Sequence, residues 1–211
     1  MIEGLVVFDL DGTLYKTDEV SVPALRRAFS SFGVDISRED ILKQFGEHTD
    51  QIIINLTPED KMHLKNKIKN EIAKNEAKMI PVKGTLYQGV KSMLKELKER
   101  GYELAICSNG REDYIQAVLK STSIDKYFSS IKSYIPGKSK AENLKELLDE
   151  FGPQKAVMVG DRYHDIEAAE EVGIPSLAVR YGYGPDQETK KADYTVSRAE
   201  DIVDVVEDAS F

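Results

Sequence analysis

Residues 5–8 are a short apolar run, Leu5-Val6-Val7-Phe8, that breaks into Asp9 and Asp11 and then into Gly12 and Thr13. A run of this kind, bounded by turn residues, reads as a buried strand that ends in a tight loop. From residue 16 the pattern changes. Val22, Leu25, Phe29 and Phe32 recur at helical spacing up to Gly33, and Ser37 with Asp40 opens a second short helix. Residues 51–56 fit a helix or a strand, and Thr57-Pro58-Glu59-Asp60 reads as the cap and first turn of a long helix reaching about Lys78, with Leu64, Ile68 and Ile72 on its face. Beyond Pro81 and Gly84 the chain alternates. Val90, Met93, Leu94 and Leu97 predict a helix ending at Gly101, followed by a strand at 103–107 and a helix through Ile115, Val118 and Leu119. A strand at 131–135, a helix through Leu144, Leu147, Leu148 and Phe151, and a strand at 156–159 running into Gly160-Asp161 come next. Strands at 176–179 and 193–196 and a terminal helix through Ile202, Val205 and Val206 complete the series.

This alternation predicts an α/β fold, a mostly parallel sheet with helices on both faces and polar residues gathered beyond the carboxyl ends of the strands. The helices between 16 and 83 interrupt it as a small insert. A chain of 211 residues with 41% hydrophobic content suits one domain carrying such an insert. The net charge of −8 argues against a nucleic-acid surface, which needs clustered cations, so the expected partner is a small molecule. The six lysines between 61 and 78 are interspersed with glutamates and read as a solvated helix face. One cysteine, Cys107, excludes an intrachain disulfide and reads as a small core residue. No apolar run is long enough to cross a bilayer and no basic leader precedes the first strand, so the expected location is the cytoplasm, away from membranes.

Three strand ends carry the candidate chemistry. Side chains on an extended chain alternate, so Asp9 and Asp11 point into one cavity, where their charges repel unless a cation offsets them. Magnesium, which takes hard oxygen ligands and shares its shell with water and phosphate, suits such a pair. Asp9 is then a candidate nucleophile, because carboxylates form aspartyl-phosphate intermediates. Ser108 and Asn109 follow the second strand, and Asp161 and Asp165 follow the fourth. Taken singly, Ser108, Asp161 and Asp165 also read as helix caps. His48 and His63 lack metal-ligand spacing and read as solvent-facing, and the glycine-rich Tyr181-Gly182-Tyr183-Gly184 reads as a turn near the mouth of the site.

In order, DLDGTL, CSNG, GKSKAENL and VGDRYHD resemble the four motifs of the haloacid dehalogenase-like hydrolases, and specifically their phosphatases. The stretches LYQGVKSMLKELKERGYELAICSN and VGDRYHDIEAAEEVGIPSLAVRYGYG are similar to the phosphoglycolate phosphatase-like branch. The resemblance implies a Rossmann-like catalytic core formed by 1–15 and 84–211 and a mobile helical cap formed by 16–83, hinged near 15–18 and 81–84. It implies Asp9 as nucleophile, Asp11 as general acid and base, and Lys140, preferred over Lys138, as the lysine that neutralises phosphate. Ser108, the backbone N–H of Asn109, and Thr13 would hold or orient the phosphoryl group and nucleophile. Mg2+ would be bound by Asp9, the backbone carbonyl of Asp11 and Asp161, with Asp165 binding it through water or orienting the lysine. Gly46, Glu47 and His48 are candidates for substrate contact, and His164 is assigned to the surface. Many relatives carry Asp-Ser where this chain has Lys16-Thr17, and a cation there would attract an anionic substrate. The expected activity is hydrolysis of a small phosphorylated metabolite such as phosphoglycolate, by a monomer or homodimer. The alternatives are a sugar phosphomutase, a nucleotidase, a pyrophosphatase or a non-catalytic binding module.

Overall fold

The computed structural model describes residues 3–208. Its centre is β1 (Leu5–Phe8), apolar at every position and buried on both faces, as a strand flanked on each side must be. Five further strands, β2 (Glu103–Cys107), β3 (Ser130–Lys132), β4 (Ala156–Gly160), β5 (Ser176–Val179) and β6 (Tyr194–Val196), complete a sheet of order β3-β2-β1-β4-β5-β6. All pairings are parallel, so the sheet is fully rather than mostly parallel. The order reverses at β1, which places the carboxyl ends of β1, β2 and β4 side by side, the usual location of a ligand crevice in such sheets.

Alternation along β1 sorts the core into two layers. Val6 and Phe8 pack with apolar residues of α5 (Val90–Glu99), α6 (Glu112–Thr122) and the helix Asp201–Asp208, while Leu5 and Val7 pack with α7 (Lys140–Phe151) and α8 (Tyr163–Val172). Between β1 and β2 stand α1 (Asp18–Ser30), α2 (Arg38–Leu42), α3 (Thr49–Leu56) and α4 (Lys65–Lys83), which share their own apolar cluster around Leu25, Phe29, Ile41, Phe45, Ile68 and Ile72. The chain enters and leaves this region through two adjacent segments: Lys16 N–H donates to Thr85 O at 3.0 Å and Tyr87 N–H to Leu14 O at 3.1 Å.

Several boundaries differ from the sequence reading. The ambiguous 51–56 segment belongs to α3, whose first turn donates the Gln51 N–H to the capping His48 ring. Thr57 closes α3 by donating to Ile53 O at 2.6 Å, so it does not open the next helix, and residues 59–64 form a 3-10 turn before α4 begins. The long helix runs past Lys78, through Pro81, to Lys83; one missing N–H is tolerated because Ile80, 1% exposed, packs into the sheet layer. At the sheet edge β3 stops at Lys132 instead of reaching 135, since Tyr134 N–H turns away to bond Gly110 O at 3.0 Å. Among the described residues no helix is long and apolar enough to cross a membrane.

Candidate active site

Asp9 extends β1 by one residue, its N–H donating to Val159 O at 2.8 Å, and is 6% exposed. The chain then folds tightly enough that Leu10 O accepts from both Leu14 and Tyr15 N–H at 3.0 Å. Gly12 makes this possible with a φ of +79°, and a Cβ there would lie 2.3 Å from Asp161 Oδ2. Gly12→Ala is therefore expected to cost about 1–2 kcal/mol from the left-handed backbone alone. The clash with Asp161 should add to that. A urea midpoint equal to that of the parent protein would contradict this account of the loop.

Lys140 opens α7, where Ser139 and Glu142 form a reciprocal capping box that fixes the start of the helix. Its Nζ stands 2.8 Å from Asp9 Oδ1 and 2.5 Å from Asp165 Oδ1. Lys138 turns outward to Glu146 at 2.5 Å. Of the two lysines, the structure brings only Lys140 to the strand end.

Asp161 and Asp165 divide the two readings made of them. Asp165 does cap α8: its Oδ2 accepts from the N–H groups of Asp161 at 3.1 Å and Arg162 at 3.0 Å, while Oδ1 faces Lys140. Asp161 is not a cap. It is fully buried, its Oδ2 accepts from Tyr183 N–H at 2.7 Å, and its Oδ1 has no hydrogen-bond partner among the described residues. The Tyr181–Gly184 segment is thus not merely a turn at the mouth but a wrapping around Asp161. Cβ atoms at Gly182 and Gly184 would lie 2.4 Å from Asp161 Cβ and 1.8 Å from Asp161 O, so only glycine admits the approach.

Ser108 is buried at the end of β2, its Oγ accepting from Gly110 N–H at 3.1 Å, and Asn109 Nδ2 reaches across to donate to Gly46 O at 2.9 Å. Asp11 Oδ1 accepts from Thr17 Oγ1 at 2.5 Å and Tyr114 Oη at 2.6 Å. Asp9, Asp11, Ser108, Asn109, Lys140 and Asp165 all line one cavity, whose other wall comes from α1, α3 and α4. Thr13, expected to contact substrate, is not on that wall: it is buried behind it, its hydroxyl unpartnered and its carbonyl accepting from Tyr181 Oη at 3.0 Å.

Three more expectations are corrected. Gly46 and Glu47 line the cavity but His48 does not; its Nδ1 accepts from Gln51 N–H at 3.2 Å and its ring stacks on Tyr134 at 4.1 Å. His164, assigned to the surface, is on the wall, 3.3 Å from Glu47 Oε1. Lys16 is off it and faces Glu19 at 4.0 Å. One cation on the wall that sequence reasoning missed is Arg111, whose Nη2 donates to Glu76 Oε2 of α4 at 3.1 Å. A signal for each was present. Arg111 directly follows Ser108-Asn109-Gly110, and Glu76 continues the four-residue spacing of Ile68 and Ile72.

Burial dominates the electrostatics. It pushes the Asp9 carboxyl up to about 7 against the opposing pull of Lys140, and it raises Asp161 well above the usual carboxylate range, with Asp165 and Asp9 adding to the effect. Asp11 is raised by burial too, opposed by its bonds from Thr17 and Tyr114. Burial works against the charge on Lys140, but Asp165 and Asp9 outweigh it and hold the ammonium above its ordinary range. Glu76 is lifted to about 7 by burial despite Arg111.

Asp9, Asp161 and Asp165 each offer an oxygen, all within 4.8 Å of one another. With one lysine against three carboxylates, and a buried Asp161 Oδ1 that no protein donor satisfies, the set fits a hard divalent cation. The Asp11 carboxylate is outside this group, engaged with Thr17 and Tyr114.

A sequence model of the haloacid dehalogenase-like hydrolase family matches residues 6–179. The chain is a haloacid dehalogenase-like hydrolase. Within that family it is 28% identical to the pyrophosphatase PpaX of Listeria monocytogenes, over 96% of each chain. It is 27% identical to a phosphoglycolate phosphatase of Mesorhizobium japonicum, over 87% of this chain and 85% of the relative. A predicted phosphoglycolate phosphatase from Haemophilus somnus has the same fold, with a TM-score of 0.87 at 23% identity, over 96% of this hydrolase and 97% of that chain.

Proposed function

We propose that this hydrolase is a magnesium-dependent phosphatase of small phosphorylated metabolites that works through an aspartyl-phosphate on Asp9. The observation that carries the reading is a carboxylate at the end of the central strand, with Lys140 2.8 Å away and the oxygens of Asp161 and Asp165 within 4.8 Å. In this reading an Asp9 oxygen attacks phosphorus, the bond from phosphorus to the leaving oxygen breaks, and Asp11 gives that oxygen its proton. Thr17 and Tyr114 both bond Asp11 Oδ1, which leaves Oδ2 to carry the proton. Asp11 then takes a proton from water, whose oxygen attacks the phosphorus and frees Asp9. Lys140 offsets charge on phosphate and nucleophile, and the Ser108 hydroxyl with the Asn109 N–H holds a phosphoryl oxygen. Thr13 supports the loop that orients Asp9.

Mg2+ would be held by Asp9, Asp161 and the Asp11 carbonyl, with Asp165 behind them, and when bound it supplies the positive charge that lets these carboxylates stay ionised beside a phosphoryl group. The reading assigns 1–15 and 84–211 to a catalytic core and 16–83 to a cap that moves on the two adjacent linkers.

Phosphate release from phenyl phosphate tests the proposal. EDTA is expected to abolish it and added Mg2+ to restore it. Magnesium at about a hundredfold its Kd should also stabilise the protein by about 2.7 kcal/mol. Asp161→Asn should remove most of that gain. Turnover indifferent to chelation would overturn the metal, and absence of turnover from the folded, Mg2+-loaded protein would overturn the phosphatase. The likeness to PpaX along 96% of the chain supports a second reading, hydrolysis of inorganic pyrophosphate by the same groups.

A further inference from the structure

The half of the cavity away from Asp9 is built by residues that the phosphoryl chemistry leaves unused. Leu25, Phe45, Ile52 and Ile72 make its walls apolar. Its charged groups are already matched. Arg111 places Nη2 3.1 Å from Glu76 and Nε 3.1 Å from Asp113; Arg162 places Nε 2.9 Å from Glu188; Lys140 is held by Asp9 and Asp165. His164, the remaining basic side chain on the wall, faces Glu47. Among the described residues, then, each basic side chain on the wall has a carboxylate partner, and Lys140 belongs to the phosphoryl end.

This inventory limits what can leave when the phosphoryl group is transferred. A carboxylate or second phosphate on the substrate would have to share Arg111 with Glu76 and Asp113, since the remaining nitrogen, Nη1, has only Thr49 Oγ1 at 3.5 Å. The Glu76 side chain is 8% exposed and close to Asp11, so a competing anion that weakens its pair with Arg111 leaves it a buried charge short of its counter-ion. A hydroxyl makes no such demand. Among the described residues Glu76 Oε1 accepts only from Ser21 Oγ, at 3.3 Å, and Oε2 only from Arg111, so each oxygen keeps acceptor capacity for a donor arriving from the cavity.

Resting on the phosphatase reading above, we propose that the leaving group is an uncharged alcohol, its carbon body against Leu25, Phe45, Ile52 and Ile72 and a second hydroxyl donating to Glu76. Hydrolysis then releases the alcohol and inorganic phosphate, one water supplying the oxygen to phosphorus and the proton to the alcohol. Arg111 acts through Glu76, fixing its position, and the pair is the specificity element of the site.

The test is kcat/KM for phosphate release, at saturating Mg2+, from linear alkyl phosphates of graded length that end in a hydroxyl, a carboxylate or an ammonium group, with pyrophosphate alongside. The best hydroxyl-ended ester is expected to exceed the best carboxylate-ended one, phosphoglycolate included, by about tenfold or more, because a site built for a donor is left unpaired by an acceptor. Glu76→Gln, whose amide also donates, should shrink that ratio by about tenfold through KM rather than kcat. Carboxylate, ammonium or pyrophosphate substrates equalling the hydroxyl series would overturn the proposal, as would an unchanged ratio in Glu76→Gln. Should that variant not fold, the ranking by the wild-type protein decides alone. A reversed ranking with phenyl phosphate still hydrolysed sinks this inference only; no release from any ester sinks the phosphatase reading with it.

Discussion

Asp9→Asn is expected to lower phosphate release by about 10⁴-fold to 10⁶-fold, the scale seen when a nucleophile that acts as one unit with its partners is removed. The amide keeps the shape of the carboxylate but has no anionic oxygen to attack phosphorus. Lys140 still has Asp165 at 2.5 Å, so the site stays assembled. Stability should move the other way. The Asp9 carboxyl sits near 7 in the fold against 3.8 ordinarily, so above that range the charged form is a burden that the amide removes. In EDTA at pH 8 the variant should therefore unfold at higher urea than the parent protein while releasing almost no phosphate. A label from radioactive substrate should be trapped on the parent protein and absent from the variant. Residual turnover above about one per cent of the parent rate would remove Asp9 from the nucleophile's role.

Lys140→Met is expected to lower activity and to be the more damaging of the two changes to stability. It keeps an unbranched side chain but leaves Asp9 and Asp165 without the ammonium that lies 2.8 and 2.5 Å from them. Removing one partner of a buried charged set costs about 3–5 kcal/mol. The pH dependence gives the sign. Asp9 holds its proton in the fold up to about 7 but releases it near 3.8 when unfolded, so the folded state binds more protons between those values and stability falls as pH rises through that window. In the parent protein this fall stops near 7; without Lys140 the Asp9 carboxyl rises further and the fall continues. Urea unfolding in EDTA should then show a deficit in the variant that widens from pH 6 to pH 9. A deficit that is constant across that range would mean that Lys140 is structural packing and not the counter-ion of the cluster.

The sheet was legible because its signals are local. Leu5 to Phe8 and Ala156 to Val159 are apolar at every position, as strands covered on both faces must be, and the interleaved helices carry their stripes at three- and four-residue spacing. Where the reading slipped, a tertiary contact had overridden a local preference. Pro81 should have ended α4, but Ile80 is held in the sheet layer. Residues 133–135 should have extended β3, but at the sheet edge Tyr134 bonds Gly110 instead.

At the site, Asp9, Asp11, Thr13, Ser108, Asn109, Lys140, Asp161 and Asp165 were named from motifs, and all but Thr13 and Asp161, both buried, line a single cavity. Glu76 was hidden among lysines that read as a solvent face, and Arg111 among turn residues. His164 was placed outside and Lys16 inside, the reverse of what the fold does with them.

By itself, the order of residues determined which segments are strands, that they alternate with helices, and which acidic, hydroxyl and cationic groups end those strands, because periodicity and turn chemistry depend on near neighbours. Only the folded chain decided which cation meets which carboxylate. Lys138 and Lys140 differ by two positions, and a helix start that turns one toward Asp9 turns the other toward Glu146. The pairing of Arg111 with Glu76 likewise joins groups 35 residues apart. Charge partners across such distances are set by burial and packing direction, which no local pattern records.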